Sequence, residues 1–122
     1  MIVELDRFEQ EVRELEKKLD ETASAFDVDA MRDELDQLHR EMEQPDFWNN
    51  LERAQKVNQR IKTITDRTQG IADLRAQCED AHTLIAMCDE EQDESLVPEI
   101  ESEIQDLTGL LAAAKETVTD AK

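Results

Sequence analysis

Pro45-Asp46-Phe47-Trp48-Asn49-Asn50, running directly into Leu51-Glu52-Arg53-Ala54-Gln55-Lys56-Val57, is the stretch on which the fold turns. Proline disfavours the α conformation in its predecessor and has no backbone N–H to donate, so Pro45 predicts the end of a helix just before it. Asn49 reads as the N-cap of the next helix, with Glu52 three positions on as its capping-box partner. Phe47 and Trp48, the chain's only Trp, fall at the corner between the two. They could form an exposed wedge for a partner. The better reading is a plug that fixes the entry angle of the following helix, because large aromatics at a turn are normally stabilised by burial.

Working outward, both flanks carry apolar residues at spacings of three and four, the stripe of an amphipathic helix. Downstream, Ala54, Val57, Ile61, Ile64, Ile71, Leu74, Cys78, Ala81, Ile85 and Cys88 keep that rhythm, with Thr68 in the open position. They predict one long helix over 50–91, about 60 Å in length. Gly70 should weaken it by about 1 kcal/mol without breaking it. Upstream, Val28, Met31, Leu35, Leu38 and Met42 predict a helix over 28–43 capped by Asp27. Ile2, Leu5, Phe8, Val12, Leu15 and Leu19 predict another over 2–24. The link between these two is only a few residues, which favours an antiparallel hairpin. After the acidic loop 89–94, Ser95 is a plausible cap and Pro98 suits a first turn. Ile100, Ile104, Leu107, Leu111 and Val118, with Leu110 and Ala114 beside them, then define a fourth helix. No stretch alternates with period two. The expected fold is all-α: an antiparallel helical bundle with one long spine helix and coiled-coil-like packing, forming a single domain over 1–122. The abrupt end at Thr119-Asp120-Ala121-Lys122 reads as a cut before a following domain.

Composition agrees. In 122 residues, 38% are charged and 3% aromatic, with two Gly and two Pro, as in long helices packed along narrow seams. The net charge of −18 should repel anionic membrane and bare nucleic acid. No run approaches a membrane span, and the start lacks the features of a signal peptide. Cys78 and Cys88 are then expected as reduced thiols in the cytoplasm.

Chemistry-bearing groups are sparse. His39 and His82 have no partners at zinc spacing. Cys78 and His82 supply two ligands where a structural site needs four. The 89–94 run lacks the glycine and ligand spacing of a calcium loop. There is no phosphate loop and no nucleophile motif, so no catalytic residue, metal or cofactor is expected. One charge pattern runs against the total. Arg53, Lys56, Arg60 and Arg67 each precede a core position by one and so share a face of the spine helix. They either pair with acidic neighbour helices or contact a phosphate backbone.

The Pro-Asp-Phe-Trp-Asn-Asn corner, followed by Glu-Arg-Ala-Gln-Lys-Val, resembles the N-terminal domain of bacterial peptide chain release factor 2. The order of helices around it is similar too. Release factor 1 has a similar first domain without this aromatic corner. The resemblance implies a helical domain of a class I translation termination factor. Its Ser-Pro-Phe codon-reading and Gly-Gly-Gln hydrolysis motifs do not occur in these residues. The implied partners are the ribosome, at the large-subunit stalk base with its protein and GTPase-associated rRNA, and the release-recycling GTPase. Neither DNA nor membrane is implied. Residue by residue the carry-over reaches Pro45, Asp46, Phe47, Trp48 and the run from Glu52 to Val57. The alternative is a free-standing coiled-coil dimerisation or scaffold module.

Overall fold

The computed structural model describes residues 2–120, with side chains through 116. The described residues form four α-helices: α1 (Leu5–Phe26), α2 (Val28–Met42), α3 (Leu51–Glu91) and α4 (Val97–Asp120). Short 3-10 turns at Phe47–Asn49 and Glu94–Leu96 precede α3 and α4. There is no strand among the described residues, so the fold is the all-α bundle that the stripes predict.

The stripes are also the core. Ile2, Leu5, Phe8, Val12, Leu15 and Leu19 are buried from the first segment, and Ile100, Ile104, Leu107 and Leu111 from α4. Along α3, burial follows Ala54, Val57, Ile64, Ile71, Leu74, Cys78, Ala81, Ile85 and Cys88. Ile61 and Ala114 are partly buried against this core, whereas Leu110 stays 49% exposed. The side chain of Val118 lies outside the described residues. At 41 residues and 1.5 Å per residue, α3 is about 60 Å long and runs unbroken through Gly70.

The first two helices do not form the expected hairpin. Pairing across α3 shows how they lie instead. Glu16 meets His82, Asp20 meets Arg75, Glu34 meets Arg60 and Glu41 meets Arg53. As position rises through α1 and α2, the partner on α3 falls steadily. Both helices therefore run antiparallel to α3 and follow one another along it, end to end. The reason is local. Helix α1 extends to Phe26, two residues beyond the predicted end, so the link shrinks to Asp27 alone, and one residue cannot reverse a helix. Asp27 adopts the left-handed conformation (φ 54°), its N–H reaching back to the Ala23 and Ser24 carbonyls. Its side chain accepts from the Ala30 N–H at 3.2 Å, capping α2 as the sequence predicts.

The molecule thus has two parts. In the body, α1 and α4 both pack on the C-terminal half of α3 and on each other. In the arm, α2 and the 3-10 turn after it pack on the first part of α3. The hairpin between α2 and α3 is made at the Pro45 corner. At the other end, α3 stops at Glu91, where the stripe predicts, and Gln92 turns left-handed (φ 52°); the first three residues of the acidic run 89–94 are thus helical rather than loop. Ser95 is not the cap of α4. It sits inside the 3-10 turn, and Asp93 caps that turn by accepting from the Ser95 N–H at 3.0 Å.

Candidate functional site

The corner is built by backbone geometry. Helix α2 ends at Met42, and the N–H groups of Glu43 and Gln44 still reach back to the Arg40 and Glu41 carbonyls at 3.1 Å. Beyond Pro45 the chain makes one 3-10 turn, closed by Phe47 N–H to Gln44 O and Asn49 N–H to Asp46 O, both 3.1 Å. The cap of α3 is Asn50, not Asn49. Asn50 is extended and its side-chain oxygen accepts from the Arg53 N–H at 3.1 Å. Asn49 is drawn into the 3-10 turn, so the expected box with Glu52 does not form. The cap moves one position on, and its N3 residue is Arg53.

The two aromatics divide the roles offered by the sequence. Phe47 is the plug, at 6% exposure. Trp48 is 55% exposed and stands edge-on to Phe47, with ring centroids 4.9 Å apart and planes at 86°. Leu51 beside it is 73% exposed. The arm therefore ends in an apolar knob. In the flanking sequence, Glu43, Asp46 and Glu52 are exposed.

The basic residues of α3 are arranged unequally. Arg53 donates from Nε and Nη2 to the two carboxylate oxygens of Glu41 at 2.7 and 2.8 Å. Arg60 grips Glu34 in the same two-point manner at 2.6 and 2.9 Å. Such forked pairs are strongly directional, and they hold α2 against α3. They also pull the Glu34 and Glu41 carboxyls below their ordinary range, chiefly through the arginine hydrogen bonds. Arg67 lies over the Phe26 ring, 5.3 Å from its centroid, a cation–π contact at the junction of arm and body. Lys56 has only a 3.8 Å contact with Glu52, one turn away on an open surface.

His82 has a setting that an isolated histidine in a sequence does not reveal. Its Nε2 lies 2.8 Å from Glu16 and its Nδ1 3.3 Å from Glu9, bridging α3 to α1. The bond to Glu16 is the main cause that raises its pKa above the ordinary value, against the opposing effect of partial burial. The two glutamates are seven positions apart, which puts both on one face of α1. Cys78 and Cys88 are buried free thiols, and burial pushes both pKa values up. No cluster among the described residues is placed to hold a metal ion. None of their helices is long and apolar enough to cross a membrane.

Fold and surface together define a helical module with an exposed aromatic tip on a two-helix arm. The chain belongs to the PCRF domain family, whose model matches residues 31–121, from α2 through the corner and spine to α4. Its curated relatives include peptide chain release factor 2 of Xanthomonas euvesicatoria pv. vesicatoria (strain 85-10). That protein is 32% identical over 93 residues, covering 76% of this chain and 25% of the relative. Peptide chain release factor 2 of Janthinobacterium sp. (strain Marseille) is 30% identical over 107 residues, 88% of this chain and 29% of the relative. That of Clostridium perfringens (strain SM101 / Type A) is 29% identical over 108 residues, with coverage of 88% and 29%. The chain spans between a quarter and a third of the length of these relatives.

Proposed function

We propose that residues 1–122 form one domain, the helical N-terminal domain of a class I translation release factor. The chain takes part in stop-codon-dependent termination on the ribosome, in the cytoplasm. Its task is to position the factor at the base of the large-subunit stalk, against the stalk-base protein and the GTPase-associated rRNA. The release-recycling GTPase is a further partner. The chain by itself catalyses nothing and needs no cofactor. The observation that carries this reading is the match of α2, the corner, α3 and α4 to the release factor family.

Arg53, Lys56, Arg60 and Arg67 remain the proposed basic contacts, with a ranking supplied by geometry. Arg53 and Arg60 are held by carboxylates, and Arg67 rests on Phe26. Lys56 is the least committed and so the best placed to meet a phosphate. The test is binding of the chain to a complex of stalk-base rRNA and its ribosomal protein across a salt series, with Lys56→Glu alongside. Reversing Lys56 leaves both arm pairs intact, which reversing Arg53 or Arg60 would not. Binding should weaken with salt, and each lost phosphate contact should lower the log–log slope by about 0.7–0.9. If the folded parent does not bind the complex, the docking role is wrong. The rival reading, a dimerisation or scaffold module, requires a dimer in light scattering at dilute concentration. A monomer is expected.

A further inference from the structure

The tip of the arm raises a question that the basic stripe does not answer. Trp48 and Leu51, three positions apart at the corner, are both apolar and turned to solvent. A tryptophan without a role in the core would be expected to fold back onto the nearest apolar surface. Trp48 is held away from it. Its backbone is fixed by the 3-10 turn, whose Asn50 N–H closes on the Phe47 carbonyl at 3.3 Å. Its ring is braced by the buried edge-on Phe47. Asn50 meanwhile fixes the start of α3 and with it Leu51. The knob is thus pre-organised, so little conformational freedom remains to be lost on binding.

We infer that the Trp48–Leu51 knob docks into an apolar cleft with a basic rim on a protein partner. This rests on the proposed ribosome-docking role and deepens it: the tip meets the protein component of the site. Charge selects that occupant. Glu43, Asp46 and Glu52, each within five positions of Trp48, are exposed, and this local negative charge disfavours a phosphate backbone at the tip. Arg53, two positions after Leu51, is occupied by Glu41, and Lys56 faces Glu52 one turn away. An unstacked RNA base could stack on Trp48, but Leu51 offers no such platform. A second copy of this chain would bring the same acidic rim against itself. A basic-rimmed protein cleft matches both the knob and its rim. Tryptophan is among the residues enriched at interface hot spots, where near-neutral neighbours serve to exclude water.

The experiment uses the single tryptophan. The chain is prepared with 5-fluorotryptophan, so that one fluorine signal reports Trp48 alone. It is titrated with the stalk-base protein–rRNA complex, with the ribosomal protein alone, and with the rRNA alone. Affinities for the complex are measured in parallel for the parent, Trp48→Ala/Leu51→Ser and Trp48→Phe, each checked for helix content. Both replaced side chains are exposed, so helicity should be unchanged. We expect the fluorine signal to move with the complex and with the protein alone, and to stay put with the rRNA. We expect the double variant to bind at least ten times more weakly, and Trp48→Phe to recover part of the loss. A double variant that is folded and binds like the parent overturns the knob while leaving the docking role standing. A signal that moves as fully with rRNA alone assigns the tip to nucleic acid and overturns the protein cleft. A signal that depends on chain concentration without any partner assigns it to self-association, with the same consequence. Failure of the parent to bind the complex at all removes both readings.

Discussion

His82 can donate from both ring nitrogens only as the cation, and both nitrogens face carboxylates of α1. That sets the sign of its contribution. Its folded pKa is raised, so the stabilisation is fully present below about 6.5, the ordinary histidine value. It is lost as pH rises through the folded value. His82→Gln should therefore cost stability at pH 6 and cost less at pH 8.5. With both partners partly solvated, the cost should be about 1 kcal/mol or less, the scale of a surface ion pair. Urea unfolding of the two chains at both pH values checks this, and a gap that does not narrow with pH would rule it out. Gly70 offers the opposite case. It is helical, and a Cβ built there meets nothing within 4 Å. Gly70→Ala should stabilise by about 1 kcal/mol through helix propensity alone, visible as a raised urea midpoint with an unchanged slope.

At the scale of elements, the cap of α3 gives the sharpest contrast. Asn50→Ala removes the side-chain acceptor for the Arg53 N–H and should cost about 1 kcal/mol. Asn49→Ala, on an exposed turn residue, should cost less than about 0.5 kcal/mol. Thermal unfolding of the pair decides between them, and equal losses would return Asn49 to the capping role. The same pair of residues marks how far the sequence could be read. Rhythm fixed which residues face the core, because apolar spacing and helix period are one physical fact, and the buried set on α3 follows it nearly position by position. It could not separate two neighbouring asparagines, since either satisfies the capping pattern and only the 3-10 turn after Pro45 shifts the cap by one. Nor could it show that α1 and α2 lie end to end. That depends on α1 reaching Phe26 and on Asp27 turning left-handed, and two extra helical residues are below what periodicity resolves. The site was legible in the same measure. Phe47 and Trp48 stood out by type, but their division into plug and knob depends on which side of one short turn each falls. The clasp at His82 rests on Glu9 and Glu16, more than sixty positions away, a separation no local pattern spans.

At the scale of the whole molecule, the division into body and arm has consequences for stability. From Leu74 to Cys88 the spine is flanked by α1 and α4, and Leu74 and Cys78 line one seam with Leu15 and Leu19 of α1 and Leu107 and Leu111 of α4. From Leu51 to about Thr63 it is flanked by α2 and the 3-10 turn only; Ala54 and Val57 are buried there, but Leu35, Met42 and Ile61 are only partly covered. Charge is distributed the same way. Between residues 51 and 65 the acidic member is Glu52 alone, against Arg53, Lys56, Arg60 and Lys62, so the arm escapes much of the self-repulsion that burdens a chain of net charge −18. Packing nevertheless dominates, because exposed charges are screened within about 8–10 Å at ordinary salt, whereas a missing helix removes apolar contact outright. Hydrogen exchange should therefore find a step in one continuous helix. Amides near Val57 and Ile61 should open by local unfolding of the arm, at least ten times more readily than those between Leu74 and Ile85, which should exchange through global opening. Gly70→Ala, which lies between the two regions, should slow exchange on both sides of the step. Arg60→Ala, which frees Glu34 and loosens α2, should speed exchange in the arm and leave the body unchanged. Uniform protection along α3 would mean that arm and body unfold as one unit, and that the tip is carried by a rod no weaker than the bundle behind it.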